Sequence, residues 1–152
     1  MAQFDRGFVL FEAILAVLLT SIMAGVLVSI SWVRGDGHRL SASAQTVAQD
    51  IRLVQQMNAN QDGTGYSIIF DCSRERYLIV KGLGVSILKA VDLPGGIDLV
   101  YTGFEKNRLE FYTDGRPRPY GGHLVLCDQS GRSLYVIVQT MTGRVRVDAQ
   151  PP

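Results

Sequence analysis

Residues 8–33 read FVLFEAILAVLLTSIMAGVLVSISWV, an apolar run of 26 residues in which Glu12 is the only charged side chain. As an α-helix rising about 1.5 Å per residue, the run extends about 39 Å, enough to cross a hydrocarbon core of ~30 Å. A cleaved secretory signal carries an apolar stretch of only ~7 to 15 residues behind a basic start, so the run is too long for that pattern. It predicts a membrane-spanning helix with one anomaly. An acidic side chain deep in such a helix costs at least ~2.5 kcal/mol to insert, and snorkelling towards the near interface relieves only part of that cost. The run contains no cation, so the natural partner of Glu12 is a positive group supplied by another molecule.

The remaining sequence has a different texture. Residues Leu40, Ala44, Val47, Ile51 and Val54 recur at steps of four and three, which draws one apolar stripe along a helix. Gln45, Gln49, Asp50 and Arg52 fall elsewhere, as expected for a solvated surface, and the stripe is expected to dock on a sheet. Gly35 and Gly37 soften the helix at the membrane boundary without ending it, and it is expected to stop within 58–63. Eight short segments then carry strand character: 66–70, 77–81, 85–91, 97–101, 108–112, 123–127, 134–139 and 144–147. Clusters of glycine and proline, with Ser130 and Thr142, separate them, notably 82–84, 94–96, 115–122, 130–131 and 142–143, so most pairings are expected to be antiparallel hairpins. The expected class is α+β: a long N-terminal helix, membrane-spanning in its first half and amphipathic in its second, packed on antiparallel β-sheet. At 152 residues with a net charge of +1, there is room for one domain plus an appendage and no global field to attract a polyanion.

Gly7, Phe8 and Glu12, followed by the apolar run, resemble the prepilin motif of type IV pilins and type II secretion pseudopilins in both order and spacing. The head has a second resemblance, to the GspH/FimT pseudopilin domain: an amphipathic helix holding 50–56, a turn at 93–95, Phe111 followed by Gly115, and a closing hairpin over 135–146. The resemblance implies cleavage after Gly7 by a prepilin peptidase, methylation of the new amino group of Phe8, and Glu12 as fifth residue of the mature chain. In that family the glutamate attracts the N-terminal amine of a neighbouring subunit, which is the cation that the helix lacks. It also implies a leader over 1–7, a membrane and assembly helix over 8–33, and an extracytoplasmic head over 34–152, with an amphipathic helix over 39–58 and a β domain over 65–148. The implied partners are other pilin or pseudopilin subunits, a membrane assembly platform and membrane lipid. The implied location is the inner membrane as a single-pass protein, then a filament. Charge does not set this orientation, because Arg6 is offset by Asp5 while Arg34 and Arg39 follow the span.

Within the head, chemistry is sparse. His38 and His123 are the only histidines, and neither stands at ligand spacing from Cys72 or Cys127, so no metal, cofactor or catalytic role is expected. The glycines at 82 and 84 lack the third glycine and following helix of a dinucleotide site. Two cysteines in an exported head permit one disulfide between Cys72 and Cys127, or two small buried hydrophobes. The segment Gly143-Arg144-Val145-Arg146 places both guanidinium groups on one face of a strand, about 6.6 to 6.8 Å apart. Such a pair can grip phosphates. FimT-like minor pilins of natural transformation carry a similar element, which implies DNA as a partner. Solvation of an edge strand is the alternative role. The chain therefore reads as a filament subunit acting in initiation or at a tip, with DNA capture through Arg144 and Arg146 as the competing function.

Overall fold

The computed structural model describes residues 5–60, 65–82 and 86–152, and within the first helix the side chains of 11–23 and 38 onwards. Residues 1–4 of the expected leader over 1–7, and the side chains of Gly7 and Phe8, lie outside the described residues. The chain divides into two compact units, Met1–Asp36 and Gly37–Pro152, and the first element, α1 (Asp5–Ala59), contributes to both.

In the first unit every described side chain from 11 to 23 is exposed. Phe11, Val17 and Met23 are each about two-thirds exposed, an arrangement that water does not favour. The two hydroxyls of this stretch are satisfied locally. Thr20 Oγ1 donates to the Ala16 carbonyl at 3.0 Å and Ser21 Oγ to the Val17 carbonyl at 2.7 Å, so neither needs a water partner. Among the described residues no helix is long and apolar enough to cross a membrane, and the expected span over 8–33 extends beyond the described side chains.

In the second unit the helical stripe is buried as its spacing predicts. Leu40, Ala44, Val47, Ile51 and Val54 all face the core; each larger member contributes about 1.5 to 3 kcal/mol by leaving water. Asp50 corrects the sequence expectation. It is buried, accepting a hydrogen bond from the Tyr77 hydroxyl at 2.6 Å and pairing with Lys89 Nζ at 2.8 Å. Burial, then the bond to Asp50 and its negative charge, push the Tyr77 phenol up from its ordinary value. Loss of the Asp50 carboxylate would leave the Tyr77 hydroxyl unpartnered, a cost of about 1 to 3 kcal/mol.

The strands are β1 (Tyr66–Asp71), β2 (Arg76–Lys81), β3 (Ser86–Asp92), β4 (Ile97–Thr102), β5 (Arg108–Phe111), β6 (Pro117–Arg118), β7 (Gly122–Asp128), β8 (Ser133–Val138) and β9 (Val145–Asp148), with one 3₁₀ turn at Glu105–Asn107. They form two antiparallel sheets, ordered β3-β2-β1-β5-β6 and β4-β7-β8-β9. The eight expected segments correspond to eight of these strands. The ninth, β6, lies inside the stretch expected as a turn; it pairs only with β5 and begins with Pro117, a residue tolerated at a sheet edge because it offers no amide donor.

One hydrophobic cluster joins α1 to both sheets, with Ile68, Phe70, Tyr77 and Leu109 from the first and Leu99, Leu124, Leu126 and Val136 from the second. Phe70 stacks on Phe104 with ring centroids 5.5 Å apart. Three polar side chains of α1 fasten the same face. Asn58 donates to the Tyr66 carbonyl at 2.8 Å and accepts from its amide at 2.7 Å, Gln55 reaches the Gly115 and Gly143 carbonyls, and Arg52 reaches the Val145 carbonyl. The first bond pair fixes β1, Gln55 reaches loops of both sheets, and Arg52 reaches the start of β9.

At the end of β7, Asp128 closes the turn into β8. Its carboxylate accepts from the Ser130 hydroxyl at 2.6 Å and from the Arg132 amide and Nε at 3.0 and 2.7 Å. The Ser130 bond first, and then the Arg132 contacts, outweigh burial and bring its carboxyl down to about 2. The folded-state value is thus depressed below the ordinary ~3.9 of an unfolded aspartate. Its stabilising contribution is complete above about pH 4 and is lost as the pH falls towards 2. Asp128→Asn is expected to melt at a lower temperature than the parent at pH 7, with the gap closing as thermal melts are repeated down to pH 2. A gap independent of pH would refute this.

Candidate functional site

Two places merit attention. The first is Glu12, exposed on α1 in the first unit among exposed apolar neighbours that include Phe11, Ile14 and Leu15. A carboxylate in such a setting has one chemical capacity, which is to attract a cation.

The second is the β8–β9 hairpin. The Gln139 amide donates to the Arg144 carbonyl at 3.0 Å, and the Gly143 amide to the Gln139 carbonyl at 2.8 Å. Gly143 sits at φ +67°, and a Cβ there would collide with the Gly115 carbonyl and lie 2.6 Å from Gln55 Nε2. Only glycine meets both demands. Gln55 Nε2 donates to Gly115 O at 2.6 Å and to Gly143 O at 3.3 Å, while Arg52 Nη2 donates to Val145 O at 3.0 Å. The helix therefore fixes the backbone on both sides of Arg144.

Arg144 immediately precedes β9 and Arg146 lies within it, and both side chains are exposed. Arg146 Nη1 stands 3.9 Å from Asp148 Oδ2, whereas Arg144 pairs with no carboxylate among the described residues. Together with His123, Gln139, Thr140 and the backbone of Gly121 and Gly122, the two arginines line a cleft of about 390 Å³. Open on one side and carrying two guanidinium groups, it suits a phosphate or carboxylate.

Four other basic residues of the head are already engaged. Arg108 pairs with Glu110 at 2.7 Å, Arg116 with Asp114 at 2.7 Å and Arg132 with Asp128 at 2.6 Å, so carboxylates of the chain neutralise each in place. Arg118 lies over the Tyr112 ring, 5.6 Å from its centroid. Among the described residues no group of three His, Cys, Asp or Glu side chains is placed to hold a metal.

Cys72 and Cys127 are both free thiols in this structure. Cys72 follows β1 in the five-stranded sheet, whereas Cys127 is in β7 of the four-stranded sheet, where its Sγ lies 3.0 Å from Ser133 Oγ. Burial, first, and the nearby Glu75 charge push the Cys72 thiol up, which keeps it protonated and unreactive.

No protein-family profile matches the chain, and no curated protein matches it. Solved structures do. The minor pseudopilin EpsH from the type 2 secretion system of Vibrio cholerae aligns over 72% of this chain and 96% of its own, at 16% identity and a TM-score of 0.58. The type IV minor pilin FimU of Pseudomonas aeruginosa aligns over 74% and 97%, at 14% identity and a TM-score of 0.59. Identity this low carries no residue roles, but the likeness covers nearly the whole of both solved chains. The chain has the α+β fold of minor pilins and pseudopilins, an amphipathic helix seated on antiparallel sheets.

Proposed function

We propose that the chain is a minor pilin or pseudopilin subunit that assembles into a type IV pilus-like or type II secretion filament, in its initiation or at its tip. The observation that carries this proposal is the pairing of a pilin-like head with a helix that presents apolar side chains and one acid outwards. A prepilin peptidase cleaves after Gly7, the new terminus at Phe8 is methylated, and residues 8–33 hold the subunit in the inner membrane until the assembly platform extracts it. The head over 34–152 then stands outside the cytoplasm. Glu12 selects the register between neighbours, because a carboxylate taken out of water is tolerated only beside a cation, and the amino group of an adjacent subunit supplies one. The work is mechanical and no bond is turned over by this chain.

Glu12→Gln keeps the size and removes the charge. The variant is expected to be processed like the parent yet to lose cross-links to other pilin subunits in its native membrane. Undiminished cross-linking would contradict the assembly role.

A second function is favoured by the cleft beside Arg144 and Arg146, which offers two exposed guanidinium groups on a fixed backbone. There the subunit captures DNA for uptake through phosphate contacts. Each phosphate neutralised on a duplex steepens the dependence of log affinity on log salt by about 0.9. A salt titration of the full chain in detergent is expected to flatten by about two such steps when both arginines become alanine. Absence of binding at low salt would reject DNA capture.

A further inference from the structure

The outer face of the four-stranded sheet carries a row of three rings. Tyr101 on β4, His123 on β7 and Tyr135 on β8 have centroids 5.2 Å and 6.1 Å apart. Register creates the row: Tyr101 stands opposite Val125, and Val125 opposite Tyr135. His123, two residues before Val125, shares that face, while Leu124 between them and Leu126 after them point into the core. Tyr101 is 49% exposed, and His123 and Tyr135 are half-buried.

The same face reaches the two arginines. His123 stands opposite Ile137 and Ile137 opposite Arg146, and His123 lines the cleft with Arg144 and Arg146. Two carboxylates limit the charge: Asp148 stands opposite Tyr135 and near Arg146, and Asp98 opposite Cys127. With about two phosphate contacts available, charge alone gives weak, salt-sensitive binding. Three rings on an open sheet add a different capacity. A base exposed on a single strand can stack on an aromatic ring, whereas a duplex hides its base faces and offers only its backbone and groove edges.

We propose that this face binds single-stranded nucleic acid, with bases stacked along Tyr101, His123 and Tyr135 and the adjoining phosphates held by Arg144 and Arg146. The proposal rests on phosphate binding at the arginine cleft and adds the choice of strand state. Stacking selects single strands over duplex and tolerates any base, because every base has a π face. The arginines set which end of the row the backbone enters.

The full chain in detergent is titrated with a fluorescent oligothymidine of about 12 nucleotides, and with a duplex of the same length, at low salt. The single strand is expected to bind at least about tenfold more tightly than the duplex. Tyr101→Leu with Tyr135→Leu keeps apolar bulk but removes both rings, and is expected to weaken the single strand about tenfold or more while leaving the duplex unchanged. Tyr101→Phe with Tyr135→Phe keeps the rings and is expected to bind within about twofold of the parent, and matching melting temperatures show that each variant is folded. If the leucine pair binds like the parent while Arg144→Ala with Arg146→Ala does not, stacking is refuted and phosphate capture stands. If the parent binds neither strand form, both fall together.

Discussion

The head depends on one seat: the apolar stripe of α1, from Leu40 to Val54, pressed into a core shared by two sheets. Neither sheet has a complete core without it. The helix also supplies the polar fastenings that decide how the sheets meet it, through Asn58 on β1, Gln55 on loops of both sheets, and Arg52 beside β9. Apolar burial provides the larger share of the free energy, and these directional bonds select the register in which it is gained.

The two units treat apolar surface in opposite ways. From residue 40 onward the helix hides its stripe against strands of its own chain, and from 11 to 23 the described side chains are exposed and almost wholly apolar. Exposure of that kind needs a nonaqueous surrounding or a partner. Under the proposed function, a lipid bilayer and then neighbouring helices in a filament would meet the need in turn, and Glu12 would give the second surrounding a specificity that lipid cannot provide.

Much of the fold of the second unit was legible in the sequence, for reasons that differ between elements. Glycines at 82, 96, 115, 131 and 143 adopt positive φ, and these punctuators bound the strands, which is why eight segments were readable from turn chemistry and alternation. The two-residue β6 was not, because Pro117 and Arg118 carry no periodicity. Asp50 was missed although its spacing from Val47 and Val54 places it on the stripe; its charge suggested solvent, and only the fold brings Tyr77 and Lys89 to it. The Gly143-Arg144-Val145-Arg146 element was visible as a motif, whereas the row of Tyr101, His123 and Tyr135 arises from pairings between strands far apart in the chain. Division of the strands into two sheets, which also puts Cys72 and Cys127 on different sheets, belongs to the same class of long-range information.

The proposed filament role rests on the exposed apolar helix of the first unit and not on the arginine hairpin. The most direct measurement is the intact mass of the protein extracted from its native membrane, together with the identity of its first residue. A chain beginning at Phe8 and carrying one methyl group on its amino terminus is the expected result. A chain still beginning at Met1, or trimmed at a site other than the bond after Gly7, would contradict it.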